Sequence, residues 1–250
     1  MATPPSTLPV AAEARQMSSP ARLVGVFYAP RKVMADLVRE PHFILAWVVQ
    51  AAVGLAFGLV ALHRVGATAM AEQILRAKLH GQEMDTQQFA AQVQTIARFL
   101  PWQFRFSWVF VPLQMVLFAA IFFAAANFLM GLQVRFKQVL GMVSHALLPM
   151  ALLYALATGV YAVHPDPASI PLENPVASNA AYFMDPASSG AVLMTLAKRV
   201  DVFVIWSVIL LGLGLAALSR KEKPGNGLAV SFTLWGVFVL VTVAFAALFP

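Results

Sequence analysis

Five stretches of this chain run without a charged side chain: residues 41–62, 106–134, 138–165, 202–219 and 224–250. A helix rises about 1.5 Å per residue, so crossing a hydrocarbon layer of roughly 30 Å takes about 20 mostly apolar residues. Each run supplies nearly that or more, and none carries the polar face of a helix half immersed in water. The pattern predicts an all-α polytopic membrane protein, a five-helix transmembrane bundle. Its spans are expected at about residues 42–62, 106–130, 138–162, 201–219 and 228–249, with two long loops at 63–105 and 163–200.

The segments outside the spans have their own periodicity. Residues 1–19 are rich in Pro, Ala, Ser and Thr and lack an apolar signal core, which predicts a disordered tail. Ser19 followed by Pro20 reads as a helix start, because serine caps free amides and proline at the first position loses no hydrogen bond. That helix runs to Tyr28, and Pro30 opens a second one. Val33, Met34, Leu37 and Val38 lie on one of its faces, Arg31, Lys32, Asp36 and Arg39 lie elsewhere, and Pro41 ends it. Residues 20–41 are therefore expected to be interfacial amphipathic helices on the inner leaflet, serving as a membrane anchor or as a docking platform. In the first long loop, residues 67–80 read as a helix that Gly81 breaks. Asp85 with Gln88 resembles a capping box for a second helix, whose Phe89, Val93, Ile96 and Leu100 share one face. That helix is expected to hand the chain to the second span at a kink at Pro101. The proline-rich second loop is expected to be an ordered irregular cap with a short helix from Ser188 to Lys198.

Composition agrees. Hydrophobic residues make up 60% of the chain, charged residues 11%, and the mean hydropathy is +0.75, whereas soluble domains carry about 25% charged residues. The net charge of +6 comes from basic residues at predicted membrane flanks rather than from a nucleic-acid surface interleaved with aromatics, so no nucleic acid is expected. Arg22, Arg31, Lys32 and Arg39 precede the first span, Arg135 and Lys137 separate spans two and three, and Arg220, Lys221 and Lys223 separate spans four and five. Short basic loops weigh most in topology, which places the N-terminus inside and the C-terminus outside. The absence of cysteine excludes disulfides and thiolate chemistry.

Polar side chains within the spans are the candidate functional groups. Counted from the span ends, Gln50, Asn127 and His145 fall at similar depth and define a candidate polar layer in the inner half of the bundle. Two roles are open: a solute or proton site, or hydrogen bonds between helices. Asp201 begins span four, where it is expected to cap the helix and pair with Lys198 and Arg199. Small residues mark candidate helix-packing faces: Gly54 and Gly58 in span one, Ala120 and Ala124 in span two, Ala151, Ala155 and Gly159 in span three, and Gly212 and Ala216 in span four. Pro112 and Pro149 are expected to kink their helices. No zincin, nucleophile-elbow or phosphate-loop motif is present, and the histidines have no metal-ligand spacing, so neither enzymatic activity nor a cofactor is expected.

Several short segments together resemble the Yip family, the Ypt/Rab GTPase-interacting proteins with the "Yip-one" domain, in its bacterial branch. They are residues 23–31 ending at Pro30-Arg31, the Arg135-Phe136 turn leading to His145 and Pro149, the Glu173 to Asn179 loop with Asn174 and Pro175, and Asp201 to Trp206. The resemblance implies a five-helix membrane protein with a cytosolic N-terminus. It also implies a non-enzymatic role in membrane organisation or trafficking, as a scaffold that binds the bilayer and, as a homo-oligomer or with another membrane protein, a partner. The chain lacks the long acidic or aromatic tail through which a GTPase is recruited, so a GTPase partner is not expected to carry over. With the Ala-rich, Cys-free composition, the expected location is a bacterial inner membrane. The alternative function is a small-solute or ion transporter working through Gln50, Asn127 and His145.

Overall fold

A computed structural model describes residues 16–79, 82–185, 189–219 and 224–248. The expected tail up to residue 15, the Gly81 break, the helix start at Ser188 and the basic Arg220, Lys221 and Lys223 lie outside the described residues. Among the described residues the chain is all helical. The helices are α1 (Ser19–Tyr28), α2 (Pro30–Arg39), α3 (Ile44–Arg64), α4 (Ala67–Leu79), α5 (Thr86–Arg105), α6 (Ser107–Ala124), α7 (Phe136–Ala146), α8 (Leu148–Val163), α9 (Ala191–Arg199), α10 (Val202–Leu218) and α11 (Pro224–Leu248). Four runs are long and apolar enough to cross a membrane: Ile44–Arg64, Ser107–Leu129, Phe136–Val163 and Gly225–Leu248; the apolar α10 is shorter, at 17 residues.

Helix ends follow local chemistry. Ser18, one residue earlier than expected, caps α1 by accepting from the Ala21 amide. Asp85 caps α5 by accepting from the Gln87 and Gln88 amides at 2.9 and 3.1 Å. Pro101 lies inside α5 and does not end it; the break falls at Phe106. Pro112 likewise sits inside α6. Pro149 has no amide to give the His145 carbonyl, and the helix is interrupted at Leu147, dividing α7 from α8. Beyond α6 the chain widens into a π-turn over Ala125–Leu129, then reverses at Gly131, whose φ of 64° a side chain would oppose.

Helix α7 is the centre of the packing. Every residue from Val139 to Ala146 is buried, against α1, α2, α3, α6 and α10. The run Phe136–Val163 buries 61% of its most apolar stretch, while Gly225–Leu248 buries 11%. Much of the outer surface is apolar: Trp108, Phe110, Leu117, Ile121, Val237 and Leu240 are exposed, the inverse of a protein in water. Helix α3 runs parallel to α7–α8 and in step with it. Trp47 meets Ser144, Phe57 meets Tyr154, and Arg64 meets Tyr161, each pair separated by the same 97 residues. Helices α4 and α5 pack on each other through Met70, Ala71, Leu75, Val93 and Leu100.

The apolar face of α2 is turned to protein rather than lipid. Val33, Met34 and Leu37 are fully buried in one core with Met142, Val143, Leu210 and Leu215. Phe27 of α1 meets Trp206 of α10 edge-on at 5.2 Å. An amphipathic pattern fits a bilayer surface and an apolar helix bundle equally well, because both present hydrocarbon; here the bundle covers the face.

Two glycines stand at close helix contacts. A Cβ on Gly227 would lie 2.3 Å from the Gly212 carbonyl oxygen and 2.7 Å from the Ala216 amide nitrogen, so α10 and α11 touch backbone to backbone. Gly58 is filled by the Phe104 ring, 2.2 Å from where its Cβ would stand. Gly227→Ala is expected to force α10 from α11 and cost about 1–3 kcal/mol, read as a lower melting temperature in detergent. Gly236→Ala, with nothing within 4 Å of its added carbon, is expected to leave that temperature unchanged or slightly raised.

Candidate functional site

Two polar clusters are built into the bundle. The first lies where α1, α2 and the start of α3 converge on α7. Arg22, on the face of α1 that also carries Gly25 and Val26, is 1% exposed. Its Nε donates to Asp36 Oδ2 at 2.6 Å, and its Nη1 lies 2.8 Å from His42 Nδ1. His42 Nδ1 also lies 3.2 Å from the Glu40 carbonyl oxygen. The Met17 amide reaches the other carboxylate oxygen at 3.5 Å. A Cβ on Gly141 would stand 3.4 Å from Pro41, which brings α7 directly against this turn. Gln138 ties the same corner: its side-chain oxygen accepts from the Arg135 amide, and its nitrogen donates to the Val38 carbonyl at 2.8 Å.

The predicted polar layer lies next to this corner and is consumed locally. Gln50 donates to the Ala46 carbonyl at 3.1 Å and across to the Ser144 carbonyl at 2.9 Å. Trp47 donates to Ser144 Oγ, which donates in turn to the Leu140 carbonyl. His145, 2% exposed, places Nδ1 at 2.9 Å from the Gly141 carbonyl, so Nδ1 carries the proton. Asn127 points elsewhere: it donates to the Phe123 carbonyl and accepts from the Val134 amide, closing the turn after α6. Among the described residues no hydrogen bond joins Gln50, Asn127 and His145 to one another.

The second cluster surrounds Asp201, 4% exposed at the other end of α10. One carboxylate oxygen accepts from the Phe203 and Val204 amides at 2.8 and 3.2 Å, which caps α10. The other accepts from the Ser178 hydroxyl and, at 3.2 Å, from the Asn179 amide nitrogen. The Asn179 and Asn174 amides meet at 2.9 Å, and the Val202 amide donates to the Ser178 carbonyl. The expected neighbours are engaged otherwise. Lys198 pairs with Glu173 at 2.5 Å, and the Arg199 guanidinium lies 5.0 Å over the Phe238 ring. The sequence also gives no sign that Gln73 of α4 clips the second loop, donating to Ala168 and accepting from Leu172, both at 2.8 Å.

The small residues are placed unequally. Gly212 faces Leu228, with Ala216 against Gly227, and Gly54 lies beside Ser107. Ala151 is buried and Ala124 half-buried, whereas Ala120, Ala155 and Gly159 are exposed. Gly214 makes a close contact that no small-residue spacing had marked: its Cβ would stand 2.1 Å from Met142 Cγ. Arg22 and Asp36 were also unmarked as a pair; the available signal was a cation set on the apolar stripe of α1. Among the described residues no group of three or more His, Asp or Glu could hold a metal ion.

The fold and its polar fastenings define an all-helical integral membrane protein whose buried hydrophilic groups serve mainly to join helices. The family model of the Yip1 domain matches residues 24–245. The chain therefore belongs to the Yip1 family. No curated protein and no solved structure matches it.

Arg22→Ala would leave the half-buried Asp36 without its cation, a loss at or below the about 3–5 kcal/mol of broken fully buried pairs. The expected result is a marked fall in melting temperature, with Arg22→Met/Asp36→Leu recovering most of it because the pair's desolvation is removed together with its attraction.

Proposed function

We propose that the chain is a non-enzymatic, five-span membrane protein of the bacterial inner membrane, N-terminus inside and C-terminus outside, that organises membrane or holds a membrane partner. The observation that carries this reading is that most polar side chains set into the bundle are engaged within the chain, with Ser207 Oγ and Trp235 Nε1, among the described residues, the buried exceptions within the apolar helices. Gln50, Ser144, Asn127 and Asp201 each make at least two hydrogen bonds within the chain. Transport sites near the bilayer midplane usually keep charged groups or broken helix ends free for the solute. Helix α10 counts as the fifth span despite being about 25 Å long at 1.5 Å per residue. Its N-terminus is capped by a loop that satisfies Asp201 and the first amides, a non-helical backbone that protein burial makes tolerable at membrane depth. The α1–α2 pair, through Arg31, Lys32 and Arg39, gives the inner face its basic flank.

Two experiments test this. A C-terminal reporter active only outside the inner membrane is expected to be active; activity of a reporter that works only inside would mean an even number of crossings. Purified protein in sealed liposomes is expected to pass no protons or small ions at pH 6 or pH 8, and His145→Ala to change nothing. A flux that His145→Ala abolishes would replace a scaffold with a transporter.

A further inference from the structure

An open groove of about 760 Å³ lies between α3, α5, α6 and α8. Phe57, Trp102, Phe106, Phe110 and Tyr154 form its walls and Gly54 part of its floor. Phe57 is buried and makes the deep wall; Trp102 and Phe106 stack nearly parallel, 5.9 Å apart, and are exposed at the mouth. A Cβ on Gly54 would meet nothing nearer than Ser107 Cβ at 3.9 Å, so the absent side chain leaves free space.

One lining residue is chemically out of place. Gln114 lies within the apolar run Ser107–Leu129, its side chain is exposed, and among the described residues it has no hydrogen-bond partner. Two other amides inside the spans do have them: Gln50 reaches Ser144, and Asn127 reaches Phe123 and Val134. An amide facing hydrocarbon without a partner is costly, and the remedy is an oxygen brought by whatever occupies the groove.

We propose that this groove binds one chain of a membrane lipid, with the Gln114 amide hydrogen-bonded to an oxygen of that lipid. The groove is cut into helices whose outward faces meet hydrocarbon, so lipid chains have direct access. Its walls are aromatic and aliphatic, which suits a flexible chain. Its depth selects against a second copy of the protein: a helix about 10–12 Å across with its side chains would rest on the outward ridge of α6 and leave the recess at Phe57 unfilled. The inference depends on membrane residence and is independent of whether the protein is a scaffold.

Native mass spectrometry of full-length delipidated protein, titrated with dioleoyl phosphatidylethanolamine, tests it. Wild type is expected to take up one lipid preferentially. Gly54→Leu, whose side chain would occupy the groove, is expected to abolish that first binding step, and Gln114→Leu, on the exposed face, to weaken it about fivefold, the loss of one hydrogen bond. Equal uptake by wild type and Gln114→Leu would overturn the proposal even if Gly54→Leu did not fold. Protein pairs that disappear in Gln114→Leu with lipid uptake unchanged would assign the amide to a second copy and overturn it as well.

Discussion

A helix that is buried on every side can present no polar group to water, and α7 is in that position from Val139 to Ala146. The rest of the bundle is arranged around this constraint. Ser144 must be satisfied from α3 and from its own preceding turn, which fixes the register of Trp47 and Gln50 along the parallel α3–α7 contact. Gly141 must lack a side chain to any depth beyond a methyl because Pro41 crosses it, and that crossing brings the α1–α2 pair against the bundle. Met142 then fills the space left by Gly214 on α10, with Met34 from α2 at the same point. Thioethers suit such a junction, since their flexible chains fill irregular gaps that branched side chains would leave.

The charge chemistry follows from that packing. Arg22 enters an almost fully buried position, where an unpaired cation would be expensive, and Asp36 and His42 answer it from two other segments. Three pieces of chain separated in sequence are thereby joined at one corner. At the other end of α10, Asp201 does the same for the loop of Asn174, Ser178 and Asn179. Asn174, Ser178, Asn179 and Asp201 fall within the short motifs through which the chain resembles its family. There the polar side chains fasten the loop to the start of α10.

Much of the architecture was legible because charge-free runs are a direct consequence of bilayer thickness, and because Asp85 and Pro149 act through local backbone chemistry. The α1–α2 docking was not, since hydropathy cannot tell a lipid surface from an apolar helix surface. Depth counting put Gln50, Asn127 and His145 at one level, but it says nothing of rotation about the helix axis, and the π-turn carries Asn127 towards Val134. Small-residue spacing marked Gly212 and Ala216, yet their backbone contact with α11 needed Gly227 from the facing helix, which no spacing within α10 reveals. Gln114 escaped notice because a single amide in a long apolar run leaves no periodic trace.

The account stands or falls on α1–α2 being part of the core rather than a strip lying on the leaflet. Amide hydrogen exchange of the full chain in lipid nanodiscs measures this directly. Docking as described predicts that amides over residues 23–38 exchange about as slowly as those of α7, because opening them requires breaking the Arg22–Asp36 corner. Exchange in that segment orders of magnitude faster than in α7 would show helices resting on lipid, and would contradict the central place given to the buried helix and its partners.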